Sequence, residues 1–230
     1  MKYLASLVPA AVAALIPSAV GRAVVQGAVL DRATFVITRG SEVVGREEFV
    51  LRRGRQSGGR GFTLTASSYY PADRSAAILA STLEFALDTM LAAARLDLDS
   101  EDRPSTLVSF SPRRVTIRTV TPHGESARQF PATDRTLVID EFLIAPFAFL
   151  PGGAEGTVTL IDPRAGQRDV ATLDDHGVEM TDVRGIERSL RHVTLSAGGE
   201  VRHLWYDDQG RLIMFDFPST VLGAVRQPKD

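Results

Sequence analysis

The chain has 230 residues, of which 44% are hydrophobic, 7% aromatic and 23% charged. That is the make-up of a globular domain, and it excludes disordered, collagen-like and coiled-coil chains. Lys and Arg number 26 against 28 Asp and Glu, a formal charge of −2, which leaves no basic footprint for nucleic acid. There is no cysteine, so disulfides, thiol catalysis, thiolate metal sites and a lipidated N-terminal Cys are all excluded.

The N-terminus reads as an export signal. Met1-Lys2 is a short positive start, and Tyr3 to Ile16 is almost wholly apolar. Pro17 and Ser18 end that run, and small residues follow at either Ala19-Val20-Gly21 or Gly21-Arg22-Ala23. Positive start, apolar run and small-residue site is the order of a secretory signal peptide. The run is shorter than the ~20 residues a membrane-spanning helix needs, and Pro9 interrupts it. Removing residues 1–23 takes away Lys2 and Arg22 and no acid, so the charge moves from −2 to −4. No later segment is apolar enough for a transmembrane helix, and residues 24–230 read as one domain. The expected compartment is the periplasm, since a cysteine-free domain of this size needs no covalent staples.

The body reads as short strands with tight turns. Arg32 to Arg53 is a predicted hairpin: Phe35 and Ile37 alternate with Thr34, Val36 and Thr38, Gly40-Ser41 turns, and Val43, Glu47, Phe49 and Leu51 recur at spacings of two or four. Period-two alternation marks a sheet with one wet face. Gly45 within the second strand signals a bulge or a close backbone approach. Further strands are predicted over 62–70, 105–111 and 114–120. In the C-terminal half they fall at 157–161, 168–173, 178–183, 187–195, 201–206, 211–217 and 221–227. Gly, Asp and Pro separate them, including Asp174-Asp175. Many short strands with such punctuation mean an all-β antiparallel sheet, either sandwich, barrel or half-barrel.

Two segments depart from that pattern. Ser75 to Leu98 is Ala-rich and free of Gly and Pro, which favours helix by propensity. Yet Leu79, Ser81, Leu83, Phe85 and Leu87 share a face at period two, so two strands meeting near Asp88-Thr89 are expected. Phe142 to Pro151 (FLIAPFAFLP) is apolar on every side. It is expected as a short buried helix or loop plugging the concave face of a curved sheet, or as the lip of an apolar cavity.

Near the C-terminus stands His203-Leu204-Trp205-Tyr206-Asp207-Asp208-Gln209-Gly210-Arg211-Leu212. Asp at the start and Gly at a positive-φ position fit a type I turn with a Gly bulge. Trp205 and Tyr206 then face opposite sides. This W-Y-D-x-x-G-R-L hairpin, with the early Arg39-Gly40-Ser41-Glu42-Val43-Val44-Gly45-Arg46-Glu47 hairpin, resembles those of uncharacterised exported bacterial β-proteins. Their architecture is similar to the half-barrel carriers of the LolA/LolB type. The resemblance implies a fold and a compartment; it implies no established activity.

No motif of recognised chemistry stands out. Gly54 to Gly61 lacks the Lys-Ser/Thr of a phosphate loop, with Arg60-Gly61 in those places. The arginines crowded in and just before it, Arg52, Arg53, Arg55 and Arg60, are candidates for contact with an anionic lipid head group. Asp97, Asp99, Glu101 and Asp102 fail the EF-hand pattern, because Asp102 and Val108 stand where Gly and Glu are needed. His192 and His203 are expected roughly in register across the Gly198-Gly199 hairpin, but zinc would want further ligands. G-x-S-x-G is absent. No metal, cofactor or catalytic residue is assigned.

Two functions follow. One is a binding or carrier module for a lipid or other apolar ligand, with Phe142, Phe147, Phe149, Leu150 and Trp205 as ligand contacts. The other is a non-enzymatic structural or interaction protein of the cell envelope, its barrel filled and a sheet edge free for a protein partner. An open cavity of ~300 Å³ or more against the apolar segment favours the first; a fully packed interior favours the second.

Overall fold

A computed structural model describes residues 27–87, 89–101, 103–150 and 154–227. The expected signal segment lies outside the described residues, as do Asp88, Asp102 and Pro151. The first strands are β1 (Val29–Arg39), β2 (Glu42–Arg53), β3 (Phe62–Tyr69), β4 (Leu79–Leu87) and β5 (Thr89–Ser100). Then come β6 (Ser105–Ser111), β7 (Arg114–Thr121), β8 (Gly124–Pro131), β9 (Thr136–Val138) and β10 (Gly156–Asp162). The last are β11 (Gln167–Val183), β12 (Ile186–Ala197), β13 (Glu200–Tyr206), β14 (Leu212–Phe217) and β15 (Leu222–Arg226).

All fifteen belong to one sheet, ordered β4-β3-β2-β1-β15-β14-β13-β12-β11-β10-β9-β5-β6-β7-β8, with β4 also paired to β5. Neighbours are antiparallel except at β9, which runs parallel to β10 and to β5. The sheet curves into an open half-barrel. One edge of β5 carries β4 along most of its length, and the other carries β6 at Arg95–Leu98. Among the described residues, β9 meets β5 only through Ala92 and Thr136. A single residue pair is no ladder, so that flank is a seam.

Alternation builds the core. Phe35, Ile37, Phe49 and Leu51 are buried, and so are Leu79, Ser81, Leu83 and Phe85 on β4. Leu79–Leu87 and Thr89–Ser100 are therefore strands, not helix, as the period-two face of Leu79 to Phe85 demands. Gly45 serves both purposes expected of it. The β1–β2 register shifts between Ile37 and Thr38, opposite Gly45 and Val43, and a Cβ on Gly45 would stand 2.5 Å from the Tyr70 ring.

Three expectations change. Asp174-Asp175 is no turn: β11 runs through it, with a register shift between Asp175 and Gly177, so two predicted strands are one. A bulge absorbs an extra residue without ending pairing. Strands β8 and β9 were not expected from pattern. β8 is exposed almost throughout and so shows no alternation, while β9 is three residues long.

The segment Phe142–Leu150 enters the concave face as a loop with one 3-10 turn at Ala145–Phe147. Leu143 through Ala148 and Leu150 are buried. The segment is a plug, as its all-round apolarity requires.

Candidate functional site

A loop inside a sheet brings backbone groups that no ladder satisfies, and burying them unpaired would cost about 1–3 kcal/mol each. Here the wall supplies partners. The Ile144 and Ala145 N–H groups donate to the two oxygens of Glu47, at 2.7 and 2.6 Å. Ser68 donates to the Phe142 carbonyl at 2.7 Å, and Tyr206 to the Phe147 carbonyl at 3.0 Å. The Leu212 N–H donates to the Ala148 carbonyl at 2.9 Å. Glu47 sits on the inward face of β2 with Phe49 and Leu51, and is fully buried. Burial pushes its carboxyl up to about 8 against the opposing pull of the two N–H donors, with Asp140 adding repulsion.

The expected turn at Asp207–Gly210 forms. Gly210 has φ +73°, and the Asp207 carboxylate accepts from the Gln209 and Arg211 N–H groups at 3.0 and 2.9 Å. Gly210 also lies against the plug, where a Cβ would meet the Leu150 carbonyl oxygen at 3.0 Å.

Beside the Phe142 end of the plug lies a cleft of about 420 Å³. Val44, Tyr70, Phe142, Phe147, Phe215 and Phe217 supply its apolar wall. The Tyr70 hydroxyl is buried there without a hydrogen-bond partner, and burial drives its pKa upward. The acids at the rim are largely engaged. Asp140 is paired with Arg164 and Glu141 with Arg103, while Asp162, its pKa raised mainly by burial, accepts the Ala165 N–H. The cations are freer. Arg39 is exposed and makes no side-chain hydrogen bond or ion pair among the described residues. The Arg202 guanidinium lies over the Phe217 ring at 4.1 Å and is 3.8 Å from Glu200. A second cleft of about 430 Å³ opens at the Phe149–Leu150 end, with a more polar border of Ser189, Arg191, Asp207, Asp208 and Gln209.

Of the expected ligand contacts, Phe142 and Phe147 line the first cleft, and Phe149 and Leu150 the second. Trp205 joins neither. Leu204 and Tyr206 face the core, so Trp205 projects from the outer face, where its indole N–H donates to Glu179 at 2.7 Å. Arg53, Arg55 and Arg60 lie at the far end of β2 from Val44, nine residues or ~30 Å away. Their loop is tied down by Ser57, which hydrogen-bonds the buried Glu84. The acidic group disperses into separate contacts: Asp97 with Arg95, Asp99 with Ser105, Glu101 with Arg74. Sequence reasoning missed Tyr70, Arg39 and Arg202, which come from distant parts of the chain and carry no motif.

The histidines depart from the expected register. His192 stands opposite Trp205 and His203 opposite Thr194, so the two are diagonal neighbours. Their rings nevertheless meet, Nε2 of His192 lying 3.0 Å from Nδ1 of His203. The bulge in β11 adds His176, whose ring centroid is 4.8 Å from that of His192. Among the described residues, no group of three or more His, Asp or Glu forms a ready-made metal centre.

The chain matches no known protein family, and neither a curated protein nor a solved structure is detectably similar to it. Among the described residues, no helix is long and apolar enough to cross a membrane.

Proposed function

We infer that this is an exported, non-enzymatic binding module that takes the apolar chain of a small amphiphile into the cleft beside Phe142, with an anionic head toward Arg39 and Arg202. The single observation carrying this reading is the aromatic-walled cleft of about 420 Å³, within the ~300–1,000 Å³ of small-molecule sites. Each buried CH₂ contributes ~0.8 kcal/mol, so a short acyl chain gains useful affinity there without a catalytic group. Guanidinium groups suit carboxylate and phosphate heads. The export signal expected from residues 1–23, which would put the domain in the periplasm, is consistent with this reading.

The filled-barrel alternative also has its observation, the burial of Leu143 through Ala148. Calorimetric titration separates the two. Dodecanoate is expected to bind one per chain and dodecyltrimethylammonium at least tenfold more weakly. Phe142→Asp should remove binding with the fold intact, and Arg39→Glu should erase the preference for the anion. No heat from either probe, with no lipid on protein recovered from periplasm in native mass spectrometry, favours the structural role and overturns the carrier reading.

A further inference from the structure

The outer face of β11–β13 is unrelated to the cleft and carries its own chemistry. Four rings gather there. His192 stacks on Trp205 with centroids 4.7 Å apart and planes 7° from parallel, and His203 lies 5.2 Å from His192. His192 Nε2 and His203 Nδ1 are 3.0 Å apart. The other His192 nitrogen, Nδ1, faces Glu179 at 3.4 Å. With one nitrogen against a second imidazole nitrogen and the other toward a carboxylate, His192 has the outer-sphere carboxylate partner typical of metal-ligating histidines. His176 is held aside by Thr194, at 2.9 Å.

We propose that His192 and His203 form a two-histidine site for a tetragonal divalent transition metal, Cu²⁺ foremost, with water completing the coordination and Glu179 orienting His192. The bite distance selects the metal. Two nitrogens bound at ~2.0–2.1 Å and 90° are ~2.8–3.0 Å apart, whereas a tetrahedral centre holds them ~3.3–3.4 Å apart. The observed 3.0 Å is the length of a hydrogen bond between the two nitrogens, so turning the two rings outward at about that spacing reaches the tetragonal bite, and Cu²⁺ is also the strongest divalent binder at nitrogen sites. The metal takes the place of the proton between the two rings, which moves to Nε2 of His203 as that ring changes tautomer, and both rings turn slightly toward solvent.

The site has a built-in reporter. Trp205 is the only tryptophan in the chain, and its ring is stacked on the ligand His192. Untagged full-length protein at pH 7.5 is titrated with CuSO₄, NiCl₂ or ZnCl₂ in a non-chelating buffer, and indole fluorescence is followed. Cu²⁺ should quench saturably at one equivalent, reversibly with EDTA, with Ni²⁺ weaker and Zn²⁺ weaker still. His192→Gln and His203→Gln should each weaken binding tenfold or more, while His123→Gln, in the distant β7–β8 turn, should not. Thermal melting confirms that the variants fold, as expected for outer-face positions. Electron paramagnetic resonance of the Cu²⁺ form should show coupling to two imidazole nitrogens. Quenching that does not saturate, that is equal in His192→Gln, or a spectrum without imidazole coupling overturns the proposal.

Discussion

Glu47 offers the sharpest quantitative test of how the plug is held. Replacing it with Gln keeps the shape and one carbonyl acceptor, but turns an NH₂ group toward the Ile144 or Ala145 N–H. One of the two contacts, at 2.7 and 2.6 Å, becomes donor against donor. A buried donor without an acceptor costs about 1–3 kcal/mol, and that is the expected loss near pH 7. The pH dependence is more specific. The folded chain holds the Glu47 proton up to about 8, against an ordinary value of 4.5. The unfolded chain releases it near that ordinary value. Between roughly pH 5 and 8 the native state therefore binds more protons than the unfolded state. Stability must fall as pH rises through that window, by at most about 1.4 kcal/mol per unit from this group. Glutamine carries no such proton, so the penalty of Glu47→Gln should be largest near pH 5 and shrink toward pH 8. Urea unfolding of both proteins at pH 5.5, 6.5 and 7.5 gives the difference directly, since everything the two proteins share cancels. Parallel stability curves would refute a buried, proton-holding Glu47.

The plug reading also predicts that Phe147→Asp leaves no cooperative fold by circular dichroism, because Phe147 is 2% exposed and stacks on Phe215. Phe147→Leu should fold and lose only ~1–2 kcal/mol; a well-folded Phe147→Asp protein would mean the segment is loosely seated. Gly45→Ala drives a methyl to 2.5 Å from the Tyr70 ring and should cost ~1–3 kcal/mol, read as a lowered melting temperature. An unchanged melting point would show that the ring has room to move. Asp31 and Arg226 form a buried ion pair linking β1 to β15. Asp31→Ala should cost about 3–5 kcal/mol by stranding the guanidinium, whereas Asp31→Leu combined with Arg226→Met should recover most of it in urea unfolding.

What the sequence reveals and what it hides divide along one physical line. Alternation is local, so Phe35, Ile37, Phe49, Leu83 and Phe85 announce their inward face within a few residues, and even the Ala-rich 75–98 segment is legible by its period. Glu47 shares that inward spacing, which marks it as a core position. Nothing local says that its partners are Ile144 and Ala145, almost a hundred residues on. The cleft is hidden for the same reason. Arg39 ends β1, Tyr70 follows β3 and Arg202 lies on β13; only the order β3-β2-β1-β15-β14-β13 gathers them. His176 failed differently. Asp174-Asp175 has turn composition, but a bulge uses the same residues, and only pairing on both sides of it tells the two apart.

A loop inside a half-barrel could act as a removable lid or as fixed filling, and the polar contacts decide which. Strands β2, β3, β13 and β14 each contribute one partner to the plug: Glu47, Ser68, Tyr206 and the Leu212 amide. Lifting the plug would leave Glu47 and Tyr206 exposed to an apolar hollow, Glu47 having lost two bonds and Tyr206 one, and would also uncover the Phe147 ring. Those costs add while the ligand gains only what one apolar chain can bury, so the plug stays seated when the cleft fills. The opening therefore belongs not to the anchored backbone but to the Phe142 side chain, which is half-buried between Tyr70 and the Arg103 and Arg164 guanidinium groups. On the proposed carrier reading, a chain would enter beside the filling rather than in place of it, which would limit the cargo to a single short acyl chain.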